Sequence, residues 1–159
     1  MDPSEAIALK SLLVKQAVAA LATLHKDEPA VSMVPFAFLP DGTGIVIHVS
    51  RLATHTNDML ANPMVALLVA GSPEDARTPL ALPHVSFQGQ ARQYEPESLE
   101  YQQARTAYLA KIPEAEELFS FSDFSLFVIN PTSVRYVAGF GRAMSLTAQS
   151  VQTVMGDQP

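Results

Sequence analysis

The sequence predicts a mainly β domain of the α+β type: an antiparallel barrel, closed or split, with helices at its periphery. Three observations carry that reading. After residue 17 the apolar pattern leaves helical spacing and becomes a run of about seven short strand-like segments at hairpin distances. Twelve prolines in 159 residues favour many short elements over a bundle of long helices. Alternating βαβ units and a glycine-rich fingerprint after the first strand are both missing, which argues against parallel nucleotide-binding folds. With 48% hydrophobic and 16% charged residues, the chain reads as one domain with a core of its own.

Taken in order, residues 3–16 place Ile7, Leu9, Leu12, Leu13 and Gln16 at roughly helical spacing behind an acidic start, which predicts an amphipathic helix. Residues 18–24, 30–39 and 44–49 read as strands, and "PDGTG" (40–44) is a hairpin turn between the last two. Pro35 sits inside the second strand, so an edge, a bulge or a ligand is expected there. Residues 54–62 predict a short helix stopped by Pro63. The run "MVALLVA" (64–70) is apolar on both faces, as for a strand covered on each side. After a loop at 71–83, "VSFQGQARQY" alternates, with Val85, Phe87 and Ala91 opposite Gln88, Gln90 and Arg92. A helix over 97–111 is expected to bury Leu99, Ala104, Ala107 and Tyr108, and a short one over 114–119 follows Pro113. Strands 124–129 and 133–138 are expected to meet at a turn, "NPT". Residues 1–145 form the expected domain and 146–159 a polar C-terminal tail.

Composition narrows the chemistry. Without cysteine there are no disulfides, thiolate zinc sites, iron–sulfur clusters or cysteine nucleophiles, a usage that fits the reducing cytoplasm. The opening "MDPSEAIALK" lacks the basic and apolar regions of a signal peptide, and no apolar run reaches membrane-spanning length. A net charge of −6 without a basic cluster disfavours nucleic acid as a partner.

Few residues announce a reaction. His25, His48, His55 and His84 show no metal-ligand spacing, so no metal site is expected. No serine elbow or triad order is present, and no side chain earns a catalytic role. The junction "IHVSRLATHTNDM" crowds Ser50, Thr54, His55, Thr56 and Asn57 at a helix start. That set can cradle a phosphate with backbone N–H groups and hydroxyls, or simply cap the helix, and helix capping is the more economical explanation. Near the end, "YVAGFGRA" (136–143) reads alone as a glycine-rich turn.

Taken together, four segments resemble the FMN-binding split-barrel superfamily of pyridoxamine 5′-phosphate oxidase, and within it the haem-utilisation branch. They are "LPDGTGIVIHVSRLATHTNDMLANPMVALLV", "TPLALPHVSFQGQA", "AYLAKIPEAEEL" and "FSDFSLFVINPTSVRYVAGFGRA", in that order, over residues 17–143. The resemblance implies a Greek-key split barrel of six to seven strands, and a homodimer with two FMN molecules in clefts at the subunit interface. Val34, Pro35 and Phe36 would run beside the flavin ring, and His48, Val49 and Ser50 beside the ribityl chain. Thr54, His55, Thr56 and Asn57 would receive the phosphate, and Gly139, Phe140 and Arg142 would close the cleft.

Departures from the family pattern are specific. Asn57 and His84 stand where arginine is common, and Asp58 where asparagine is common, which removes two guanidinium groups and adds a negative charge beside the implied phosphate. The additional C-terminal domain of haem-degrading relatives is not expected here. Two functions therefore stand open. One is an FMN-dependent oxidoreductase on a small substrate, and the other a non-enzymatic dimer binding a flavin, haem or another small ligand.

Overall fold

The computed structural model describes residues 1–156. Helix α1 (Pro3–Lys15) starts where its sequence says it should. Asp2 caps it, Glu5 reaches back to the Asp2 amide, and Pro3 fills the first turn. Leu9, Leu12 and Leu13 are buried, whereas Ile7 points to solvent. Strands β1 (Val18–His25) and β2 (Glu28–Pro35) form a hairpin turned by Lys26 and Asp27, whose φ angles of 51° and 66° suit a two-residue connection.

The strand expected over 30–39 is two strands. β2 pairs with β1 as far as Pro35, the chain turns at Phe36, and β3 (Ala37–Phe38) pairs with β4 (Ile45–Ser50) instead. Pro35 ends an edge strand, which tolerates a residue without an N–H, so the edge alone accounts for it. The β3–β4 turn needs Gly42: its φ is +72°, and a side chain there would meet the Gln152 carbonyl at 2.6 Å.

Helix α2 (Thr54–Ala61) leads into β5 (Met64–Ala70), and a loop with two short 3-10 turns leads to β6 (His84–Gln93). Helix α3 (Leu99–Lys111), capped by Ser98, buries Ala104 and Tyr108 but exposes Leu99, and a 3-10 segment (Pro113–Ser120) follows. The last two expected strands are one, β7 (Phe124–Val137). "NPT" is a bulge in it, not a turn, because the register against β6 shifts at Gln88/Gly89. Gly89 makes room: a side chain there would lie 2.5 Å from the Asn130 carbonyl. The hairpin falls later, between β7 and β8 (Ala143–Leu146).

The expected polar tail is also corrected. Residues 148–156 form helix α4 (Ala148–Gly156), which buries Val151 and Met155, while 157–159 lie outside the described residues. Its apolar positions are spaced as one helical face, a signal hidden among glutamines, serines and threonines.

All pairings are antiparallel, in the order β2-β1-β5-β6-β7-β4-β3, with β8 beside β7. The turn at Phe36 joins the two ends of that order, so the sheet curls into a split barrel. Its interior packs Leu21, Ile47, Leu67, Phe87, Phe127 and Tyr136, and α1 and α4 add their apolar faces. A second core lies outside the barrel wall, where α3 and the 3-10 segment cover Ala37, Val46, Leu126 and Val128. β5 departs from expectation here. Val65, Leu67 and Val69 are buried, but the opposite face, with Met64 and Leu68, is open in the protomer.

Candidate functional site

Where β4 runs into α2, most of the donors expected to receive a phosphate are already engaged. Ser50 Oγ donates to Asp123 Oδ2 (2.9 Å) and accepts from the Leu52 amide (3.1 Å). Thr56, fully buried, donates to the Ser50 carbonyl (2.6 Å). Arg51 Nε donates to Ser125 Oγ (3.2 Å), and Asn57 Nδ2 lies 3.4 Å from the Arg51 carbonyl. These bonds tie the strand end to the start of β7. What α2 still offers an anion is the N–H groups of Thr54 and His55, because the cap residue is Ala53 and no side chain caps the helix, while the Thr56 N–H already donates to the Ala53 carbonyl. The side chains of the same two residues stand beside these groups, His55 with its pKa lowered by burial against the opposing pull of Asp58.

Asp58 turns away from the cradle. Its carboxylate is buried, accepts from Thr23 Oγ1 (2.9 Å), and lies 2.7 Å from His25 Nδ1. Burial pushes its pKa up, but the His25 and Thr23 hydrogen bonds outweigh that and hold it below the ordinary carboxylate value. The negative charge expected beside the phosphate is therefore committed to fastening α2 onto β1. The His25 side chain is itself about half-exposed. No sequence spacing links residues 23, 25 and 58; only barrel closure brings them together.

His48 is not at a cleft. It lies in the second core, 6% exposed, its ring stacked on Phe119 at 3.7 Å and tilted against Phe124 at 5.1 Å. Burial, with Arg105 nearby, lowers its pKa to about 4, so it is neutral, and its Nδ1 has no hydrogen-bond partner. Val49, on the opposite face of the same strand, is buried inside the barrel.

The remaining predicted residues sit elsewhere. Val34 and Phe36 put their side chains into the barrel core and Pro35 is exposed. At the far end of β6, His84 pairs with Val137, and its Nδ1 lies 2.9 Å from the Leu82 carbonyl. Gly139 to Arg142 make the β7–β8 turn, with the Arg142 amide on the Gly139 carbonyl (3.0 Å), Gly141 at φ +75° and Phe140 74% exposed. The Arg142 guanidinium pairs with Glu5 and Asp2 at the start of α1, which raises its own pKa; theirs are lowered chiefly by the hydrogen bonds of the helix cap, from Ser4 to Asp2 and from the Asp2 amide to Glu5, with Arg142 adding to both.

One chain thus holds the predicted residues in separate groups. Ser50 pairs with Phe124 at the start of β7 and His84 with Val137 at its end, and β7 is 14 residues long. That is roughly 40 Å of strand at about 3.3 Å per residue. Between them, the outer face of β2, β1 and β5 carries Val31 (75% exposed), Met33 (67%) and Leu68 (42%). Among the described residues, no group of histidines and acids could hold a metal ion, and no helix is long and apolar enough to cross a membrane.

The architecture is that of an antiparallel split barrel, with an open apolar wall and polar groups at both ends. The chain belongs to the pyridoxamine 5′-phosphate oxidase family, whose pattern matches residues 6–138. It is 45% identical over 121 residues to the chloroplastic haem oxygenase HOZ of Arabidopsis thaliana, covering 75% of this chain and 35% of that protein. It is 26% identical over 133 residues to the haem oxygenase HutZ of Vibrio cholerae, covering 82% of this chain and 74% of HutZ. Among solved structures, a haem-binding protein from Mycobacterium smegmatis superposes with a TM-score of 0.84 at 29% identity, over 96% of this chain and 62% of that one. The chain thus spans about a third of the first relative's length and three quarters of the second's. These relatives agree with the haem-utilisation branch of the superfamily.

Proposed function

We propose that this protein is a haem-binding split barrel that takes haem as its ligand and substrate. The observation that carries the reading is the state of the cradle. Ser50 and Thr56 spend their hydroxyls inside the chain, Asn57 replaces a guanidinium, and Arg51 is drawn toward Ser125. A flavin phosphate, a dianion, is poorly matched by that set. A propionate carboxylate, a single charge, asks for no more than the uncapped N-terminus of α2 with Thr54 and His55. The two haem oxygenases and the haem-binding structure among the relatives support the same choice.

Two imidazoles are oriented as metal-binding histidines usually are, with one ring nitrogen held and the other free: His25 by Asp58, and His84 by the Leu82 carbonyl. Haem supplies the iron and the oxidisable ring; these side chains would orient it. Dimerisation through the open face of β2, β1 and β5 is part of the proposal. Two groups of site residues so far apart on one chain can serve one ligand when a two-fold partner contributes the second group. A cytoplasmic homodimer with haem at its interface follows from the reading.

Titration of the purified chain with haemin and, separately, with FMN tests it. A shifted Soret band that survives gel filtration is expected, with no retained flavin absorbance. Loss of that band on adding ascorbate in air is the expected sign of turnover. Retained FMN with haemin eluting free would reverse the assignment in favour of an FMN-dependent oxidoreductase.

A further inference from the structure

A groove of about 420 Å³ runs between α1, β3, α3 and α4, lined by Leu13, Phe38, Leu39, Ala107, Lys111 and Met155 among others. None of its lining residues belongs to the cofactor positions discussed above. Its walls are aliphatic and aromatic, and the alanines at 37, 107 and 110 leave the space open. Among the described residues, Lys111 is the one charged residue on its surface.

A lysine at a helix end normally extends its stem so that the ammonium reaches bulk water. Lys111 does the opposite. Its Nζ donates to the Leu13 carbonyl (3.0 Å), one of the open carbonyls in the last turn of α1, and stands 3.7 Å from the centre of the Phe36 ring. The ammonium is thus fixed at the groove by a helix end and an aromatic face. Burial lowers its pKa to about 8, and no carboxylate contributes to that shift. A cation held in apolar surroundings, with no counter-charge beside it among the described residues, favours an anion that brings its own apolar body. One ammonium with N–H capacity to spare matches a single negative charge; a phosphate would ask for more donors than the groove provides.

We propose that this groove binds an apolar monocarboxylate, a straight-chain fatty acid in class, with Lys111 as the counter-ion and the α1–β3–α3–α4 walls holding the chain. The site is separate from the proposed haem site and does not depend on it.

Decanoate and 1-decanol titrated into the full-length protein, followed by calorimetry and by the NMR methyl signal of Met155, test the proposal. Decanoate is expected to bind and move the Met155 signal, and decanol to bind roughly tenfold more weakly or worse, since it lacks the charge. Lys111→Met is expected to abolish the difference between acid and alcohol. Because that variant also loses a helix-end contact, Ala107→Leu provides a second arm: it narrows the groove, keeps Lys111, and is expected to weaken decanoate by roughly tenfold or more. Equal binding of decanol and decanoate would overturn the assignment. So would unchanged decanoate affinity in Ala107→Leu, or no binding at about 1 mM decanoate, a threshold equivalent to only about −4 kcal/mol.

Discussion

The barrel wall has two outer faces that are treated differently. Over β3, β4 and the first half of β7, the outward residues Ala37, Val46, Leu126 and Val128 lie under α3 and the 3-10 segment. Over β2, β1 and β5, the outward residues Val31, Met33, Met64 and Leu68 lie under nothing in the protomer. Both faces are apolar, so sequence pattern alone assigns both to burial. The difference is that the chain supplies its own cover for one and leaves the other exposed. A β-sheet face of this character left in water is a mark of association.

The largest expected effect breaks the open face. Leu68→Asp places a carboxylate there twice across a two-fold interface, and is expected to weaken self-association by a thousandfold or more, about 4 kcal/mol. The folded protomer should survive, because the position is already solvated. Light scattering against concentration reads this directly. A wild-type chain that is monomeric at every concentration would remove the comparison's premise. Next comes the covered face: Leu126→Ala should cost about 2–5 kcal/mol of unfolding free energy in urea, without change of mass. If instead Leu126→Ala were mild, the second core would be an appendage and not part of the cooperative unit.

His48 sharpens the same contrast through pH. Its folded pKa of about 4 lies below the ordinary 6.5, so between those values the unfolded chain binds more protons than the folded one. Its contribution is present above about pH 6.5 and is lost as pH falls toward 4, by about 1–3 kcal/mol after allowance for partial solvation. His48→Phe keeps the stack on Phe119 and Phe124 and cannot titrate. The variant's stability should therefore fall less than the wild type's over that range. Parallel curves for the two proteins would place the proton elsewhere.

Where sequence was legible, the physics was local. The helix α1 behind its acidic start, the alternation along β6, the PDGTG turn and the stop at Pro63 all depend on neighbours in the chain, and all form as expected. Where it failed, a long-range partner decided. Whether "NPT" was a turn or a bulge depended on Gly89 of another strand. Helix α4 needed the glycine turn at 42 to receive it. The family resemblance named the residues at the β4–α2 junction but not their state, because Ser50 is engaged by Asp123 and Arg51 by Ser125, from the start of β7 more than seventy residues later. His48 alternates onto the outer face of β4, and only the arrival of Phe119 distinguishes a core residue there from a ligand contact.

The smallest predicted effect concerns Asp58, which sequence comparison casts as a repulsive charge and the fold uses as a fastener. Asparagine at that position could still accept from Thr23 but would lose the carboxylate that faces half-exposed His25 at 2.7 Å. Asp58→Asn should therefore cost about 1 kcal/mol or less at pH 7. Because the folded pKa of Asp58 is depressed, that difference is present above the ordinary carboxylate pKa and should vanish as pH falls through the folded value. The same variant tests how the cradle treats anions. With the carboxylate turned inward, its removal should leave the affinity for FMN or for haemin within roughly threefold, under about 0.7 kcal/mol. A gain of tenfold or more for FMN would mean that the charge does reach the first turn of α2, and that Asp58 is less separate from it than the Thr23–Asp58–His25 geometry makes it.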